Sequence, residues 1–156
     1  AEDFTQFLNV KTNIAKAFLI TKELSMMVGI EGGFRLGNDN ISALNFGLGG
    51  YAHNHINNYG NMFGYDFFSL SGNSFVKAYF NMDYEFYKRH HLNFSGNFSN
   101  IGDDIFVTKN WLELPYFSGY ALGYGLETIF GPIELKYNWS PENNFEGVFI
   151  NLGYWF

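Results

Sequence analysis

The feature that most constrains this chain is a strict two-residue alternation that runs through its second half. In Val76, Ala78, Phe80, Met82, Tyr84 and Phe86 every second residue is apolar, with Lys77, Tyr79, Asn81, Asp83 and Glu85 between them. Successive side chains of a strand point to opposite faces, so such a run is a strand with one greasy and one polar face. Leu92, Phe94, Gly96 and Phe98 repeat the pattern against His91, Asn93, Ser95 and Asn97. Tyr116 to Phe130, Ile133 to Trp139 and Val148 to Phe156 repeat it again. The front half is noisier, with segments at Leu8–Ile14, Met26–Leu36 and Leu44–Leu48. The expectation is eight antiparallel strands in a single domain spanning residues 1–156, each crossing a bilayer at a tilt.

Alternation alone fits a soluble β-sandwich as well as a transmembrane β-barrel, and composition separates the two. Aromatic residues make up 21% of the chain and charged residues only 15%, against roughly 25% charged in an ordinary soluble domain. Mean hydropathy is nevertheless close to neutral, at −0.12. A spanning barrel gives this combination, because its lipid-facing and lumen-facing residues cancel. No apolar run approaches the length of a spanning helix. There is no cysteine, and the net charge of −6 argues against a nucleic-acid partner.

Loop lengths point the same way. With Phe156 placed on the periplasmic side, the periplasmic links are Gly131-Pro132, Lys88-Arg89-His90 and Gly37–Ile41. The extracellular ones are longer: Glu142–Glu146, Ile101–Pro115 and Ala52–Gly72. Short periplasmic turns and long outer loops are the outer-membrane arrangement. An integral protein of the outer membrane of a Gram-negative-type bacterium is therefore expected, with Ala1 read as a processed start. On this reading Phe80, Met82, Leu122, Leu126, Leu135, Val148, Ile150 and Leu152 face lipid. Lys77, Asp83, Glu85, Glu127, Glu134 and Lys136 are lumen charges, and so are Lys11, Glu31 and Arg35.

Several motifs carry a family resemblance. Phe46-Gly-Leu-Gly-Gly50, a long loop, and Gly72-Asn73 leading into Asp83-Tyr84-Glu85 resemble a hairpin of the sixteen-stranded surface-antigen barrels. Those barrels include the outer-membrane assembly factor and the two-partner secretion pores. Gly131-Pro-Ile-Glu-Leu-Lys-Tyr137 and Phe149-Ile-Asn-Leu-Gly153 resemble their last two strands. Asn73-Ser-Phe-Val-Lys-Ala78 and Leu122-Gly-Tyr-Gly-Leu-Glu127 are most similar to the barrels that follow a patatin-like phospholipase domain in type V secreted proteins. The resemblance covers about residues 46–156. It implies the C-terminal half of such a barrel, serving as membrane anchor or translocator of a larger protein. Assembly or secretion pore component is an alternative role. A closed eight-stranded structural or adhesion barrel is the other reading of the same length.

The superfamily's long loop carries Val-Arg-Gly-Phe/Tyr, whose arginine pairs in the lumen with the aspartate of Phe-x-Asp-x-Gly. Here the loop motif is Phe63-Gly64-Tyr65, and the strand expected to face it holds Phe98, Asn100 and Gly102. Both charges are missing together, as expected when one alone would be costly to bury. The closing alternation ending at Tyr154 and Phe156 resembles the signal read by the outer-membrane barrel assembly machinery. The partners implied are that machinery, the lipid bilayer, and a missing barrel half, a second copy or another barrel protein.

Catalytic chemistry is not visible. There is no Gly-x-Ser-x-Gly, so any patatin-type lipase activity lies on another segment. His53 and His55, and His90-His91, lack an evident third ligand, so no metal and no cofactor are expected.

Overall fold

The computed structural model describes residues 6–37, 45–51 and 58–153. Six antiparallel pairings join seven strands in the order β1 (Phe7–Leu19), β2 (Leu24–Gly37), β6 (Ser74–Tyr87), β7 (His90–Gly102), β8 (Phe117–Thr128), β9 (Gly131–Ser140) and β10 (Phe145–Leu152). A second, small sheet holds β3 (Phe46–Leu48), β4 (Tyr59–Gly60) and β5 (Leu70–Gly72) in the order β4-β3-β5. The all-β antiparallel fold class stands.

The strand count differs from the sequence expectation. Leu44-Phe46-Leu48 is not a spanning strand. β3 has three residues, about 10 Å at strand rise, and Phe46 and Leu48 pack against Met62, Tyr65 and Phe75. The expected short link at Gly37–Ile41 falls largely outside the described residues. Gly37 and Ser74 nevertheless lie at the same end of the sheet, since Phe34 pairs with Ser74. Residues 38–73 are therefore one connection that leaves and re-enters at one end. The tight turn missing from the sequence reading is Ile20–Glu23, where the Thr21 hydroxyl accepts from the backbone N–H of Glu23 and Leu24 (3.2 and 3.0 Å). Miscounting one strand reverses the direction of everything before it. Alternation records which face a residue takes, not which way the chain runs.

The sheet thus has a turn end, with Ile20–Glu23, Lys88-Arg89 and Ile129-Phe130, and a loop end, with residues 38–73, 103–116 and 141–144. Among the described residues β1 and β10 are the two edges and do not pair with each other. The seam between Phe7–Asn13 and Val148–Phe156 that a closed eight-stranded barrel would require is not formed among the described residues.

Burial is inverted relative to a soluble sheet. One face exposes Ile14, Ile30, Val148, Ile150 and Leu152 at 60–73%. The other buries Lys77, Ser95, Asn97, Lys136 and Asn138 at 8% or less. Cross-strand register keeps the apolar face continuous. Met82 pairs with Phe94, Phe94 with Leu122, Leu122 with Tyr137, and Tyr137 with Val148. The small sheet lies on the polar face.

Candidate functional site

The inner face and the connection folded onto it form the candidate site. Two lysines on the sheet grip this plug. Glu31 on β2 receives Lys11 of β1 at 3.0 Å and Lys77 of β6 at 2.8 Å. Each lysine also donates to the plug backbone, Lys11 to Tyr59 O (2.6 Å) and Lys77 to Asn61 O (2.8 Å). The ammonium groups thus satisfy a carboxylate and two carbonyls; Lys77 and Glu31 are buried, where an unpaired charge is expensive, whereas the Lys11 side chain is 31% exposed.

Farther round the sheet the plug is held through backbone amides. Gly64 N–H donates to Asn138 Oδ1 (2.8 Å), and Phe63 N–H to the Asn97 amide oxygen (2.9 Å). Asn143 donates to Gly64 O at 3.4 Å, and the Ser140 and Tyr65 hydroxyls are hydrogen-bonded at 3.1 Å. The approach is backbone on backbone. A Cβ at Gly119 would sit 1.7 Å from Phe63 O, and one at Gly64 (φ 78°) 2.5 Å from Trp139 O. Only glycine fits at either place. Burial pushes the phenols of Tyr59 and Tyr65 above their ordinary range, and Tyr59 OH donates to Gly49 O.

The Phe63 ring stacks on Tyr51 (5.3 Å between centroids), and Lys136 Nζ lies 4.7 Å from the Tyr51 centroid and 5.4 Å from that of Phe63. Lys136 also pairs with Glu134 at 2.9 Å. The resembling family has an arginine at the position of Phe63. Here the cation comes from the strand, and the loop supplies the aromatic face.

The expected facing motif is placed elsewhere. Phe98 points to the outer face, edge-on to Tyr120 at 5.9 Å. Asn100 shares that face and ties down the β7–β8 connection. It donates to Asn110 O and Glu113 O and accepts from Tyr116 N–H at 2.8 Å. Gly102 ends β7, and its carbonyl accepts from Ser74 Oγ at 3.3 Å. The physical reason is parity. Asn100 is an even number of residues from Phe98 and Phe94, so a strand carries all three to the same outer face.

Of the remaining expected lumen charges, Arg35 lies toward the loop end and donates to Asn45 Oδ1 (2.9 Å), and Asp83, Glu85 and Glu127 gather near the turn end. His91 lies 2.7 Å from Asp83 through Nδ1 and 3.1 Å from Glu127 through Nε2, with Glu85 at 3.9 Å. A polar cleft of about 1070 Å³ lies between this cluster and the plug, with Asn13, Asn81, Asn93 and Ser95 on its walls. Among the described residues no group of three or more His, Cys, Asp or Glu is arranged to hold a metal ion. Of the expected lipid-facing residues, Leu122, Leu135, Val148, Ile150 and Leu152 are exposed, and Phe80, Met82 and Leu126 are half-buried among outer-face neighbours. Tyr154 and Phe156 lie outside the described residues, as do His53 and His55. Asn97, Asn138 and Gly119 were not singled out from the sequence. The available signal was asparagine recurring at inward positions of β7 and β9.

An open antiparallel sheet with an apolar outer face, a polar inner face and an inward-folded loop is the frame within which the family comparison falls. The family model of the OMP85 superfamily matches residues 1–156. The chain belongs to the OMP85 superfamily. Proteins of this superfamily are outer-membrane β-barrels, and their domains serve as transporters and assembly factors. No curated protein matches the sequence. The described parts of residues 46–72 cover the polar face of the sheet.

Proposed function

We propose that this OMP85 segment is the membrane anchor, or translocator part, of a larger surface-antigen-type protein, of the kind in which the barrel follows a patatin-like domain. One observation carries the reading: the sheet has its polar inner face occupied by its own loop. Backbone groups of edge strands cannot be left unsatisfied in hydrocarbon, which supports the reading of the segment as part of a bigger barrel. The plug favours anchoring over free conduction, because Lys11, Lys77, Asn97 and Asn138 all hold it in place. The motifs around Asn73–Ala78 and Leu122–Glu127 support the patatin-fusion form. The assembly machinery and the lipid bilayer are its partners on this reading, and hydrolysis, where present, belongs to another segment.

The test is deletion of residues 1–156 from the natural protein, followed by carbonate extraction of the membranes. The remainder is expected to leave the outer-membrane pellet. If it stays embedded, the anchor reading is wrong.

A further inference from the structure

β2 has three glycines in its middle, and one of them meets nothing that requires glycine. A Cβ at Gly29 would lie 2.4 Å from Tyr79 Cζ, and one at Gly33 2.8 Å from Phe75 Cε1. Among the described residues, a Cβ at Gly32 would meet nothing nearer than Phe75 O at 3.5 Å, an ordinary contact, and the φ of Gly32 is not positive. The ladder passes through Gly32 without a bulge, Thr12 pairing with it on one side and Val76 on the other. A glycine inside a strand weakens it, and one that neither bulge nor bend explains marks a close approach from outside the sheet.

Gly32 is the floor of a groove of about 540 Å³ on the outer face, a size within the roughly 300–1,000 Å³ of small-molecule sites. Register sets the two walls. One outward row nearer the turn end, Ile14 pairs with Ile30; one nearer the loop end, Val10 pairs with Phe34. The connection after β7 raises the second wall. Its helical turn, Ile105–Thr108, is held against the sheet by Ile105 N–H on Ser74 Oγ (3.1 Å) and Asp104 N–H on Asn73 Oδ1 (2.7 Å). Phe106 is thereby set edge-on to Phe34 at 6.1 Å, with Trp111 5.9 Å from Phe106. The charged side chains at this margin are engaged elsewhere. Asp104 accepts from Asn73 Nδ2 at 3.1 Å, and Arg35 turns inward to Asn45.

We infer that this groove is a binding site for one acyl chain of a membrane phospholipid, in the leaflet at the loop end. The inference takes the outer face as lipid-facing, as in the outer-membrane barrels of the superfamily, and does not depend on the anchor reading. The groove lies inside the apolar band, because the next outward pair toward the loop end, Leu8 and Leu36, is again exposed. Water finds too few polar partners there. A peptide would bring backbone groups that hydrocarbon cannot satisfy, and β2 is already paired on both sides, so the floor offers it no ladder. An unbranched hydrocarbon chain has neither problem. Lipid tails are as apolar as leucine, so no hydrophobic force draws one in. Dispersion selects the place. A tail on the flat outer face touches protein on one side, whereas a tail in the groove touches the floor and both walls.

The test uses the full natural protein in vesicles of phosphatidylethanolamine and phosphatidylglycerol, doped with a phosphatidylcholine that carries a diazirine midway along one acyl chain. After illumination, adducts are mapped by mass spectrometry. Labelling at Ile30, Phe34, Phe106 and Trp111 is expected to exceed that at Leu122 and Leu135 several-fold per residue. Exposure alone predicts the reverse for the two phenylalanines, which are 37% exposed against 51% and 47% for the leucines. Gly32→Leu fills the groove with the protein's own side chain and should bring its labelling down to the level of Leu122 and Leu135, leaving theirs unchanged. Trp111→Ala opens one wall without touching a strand and should also lower the groove's labelling; it decides the matter where Gly32→Leu fails to insert. Even labelling across the outer face, or groove labelling that persists in the variants that insert, overturns the inference. A groove unlabelled in the natural protein overturns it too, because another part of this chain or a protein partner would then fill it.

Discussion

Two long connections leave the loop end of this sheet, and they turn opposite ways. The described part of residues 45–72 folds onto the polar inner face, whereas residues 103–116 fold against the outer face. The first carries its own small sheet and buries Phe46, Leu48, Met62 and Tyr65. The second has one helical turn, α1 (Ile105–Thr108), and a 3-10 turn, Asn110–Leu112, and leaves Val107, Leu112 and Leu114 exposed at 64–88%. Each is anchored by polar side chains on the face it covers. Asn97 and Asn138 face inward and bind the plug backbone. Asn73, Ser74 and Asn100 serve the outer connection: Ser74 Oγ accepts from Ile105 N–H, and Asn73 Oδ1 from Asp104 N–H (3.1 and 2.7 Å). On the outer connection Phe106 meets Phe34 edge-on at 6.1 Å. On β7 the two destinations follow parity: Asn97 faces inward to the plug, and Asn100, three residues on, faces outward to the other connection. Each connection's apolar content follows the medium it meets.

The strongest way to break this contrast is to remove the charge under the plug. Glu31→Gln leaves Lys11 and Lys77 without their carboxylate while keeping the side chain's size. Breaking a buried pair costs about 3–5 kcal/mol, so the midpoint for urea unfolding in lipid vesicles, followed by tryptophan fluorescence, should fall sharply. Protease protection around Asn58–Tyr65 should fall with it, and that of 103–116 should not. An unchanged midpoint would mean that the ion cluster contributes nothing to holding the plug.

Gly119→Ala comes next. The new Cβ would collide with Phe63 O, which must move away from β8. Overpacking of this kind costs up to about 3 kcal/mol. Because the clash is with plug backbone, ion conductance in a planar bilayer should rise if residues 63–65 seal the lumen. Asn100→Ala is the matching change on the other face. It strips one backbone N–H and two carbonyls of their partner, about 1–2 kcal/mol for groups left unsatisfied. Cleavage within 103–116 should accelerate while conductance stays unchanged. Equal effects of the two substitutions on both readouts would erase the distinction between the connections.

The sequence carried the spanning strands well, because alternation is a direct record of two faces. Leu92–Phe98 and Ile133–Trp139 fall within β7 and β9, in the expected phase. It failed at Leu44–Leu48, where three alternating apolar residues look the same whether they face lipid or a plug. It also failed at Asn100. Family resemblance suggested an inward partner for the plug, but the strand's own parity with Phe94 and Phe98 already pointed outward. The inner contacts were less legible still. That Gly64 meets Asn138 depends on how a 36-residue connection folds back over the sheet, which no local spacing encodes.

The mildest expected effect joins the comparison at the rim. Glu142 sits in the loop between β9 and β10 and accepts from Ser118 Oγ (2.6 Å), Ser118 N–H (3.3 Å) and Ser140 Oγ (3.0 Å). Burial works against its charged form, but the hydrogen bonds from Ser118 and Ser140 outweigh it, holding the carboxyl below its ordinary 4.5. A carboxylate with a lowered pKa in the folded state stabilises fully above the unfolded value and loses that contribution as pH falls through the folded one. The link is therefore complete at neutral pH and lost only below about 4.5. Ser140 Oγ also lies 3.1 Å from Tyr65 OH and can accept the phenol's proton while donating its own to Glu142, so acidification should loosen the plug's rim without releasing Lys77 from Asn61. Hydrogen exchange at Ser118 and Tyr65 should quicken modestly below that pH, with little change in residues 103–112. In Glu142→Gln the acid-dependent step should vanish, because the amide has no charge to lose. A step that persists in that variant would assign the acid response to another carboxylate.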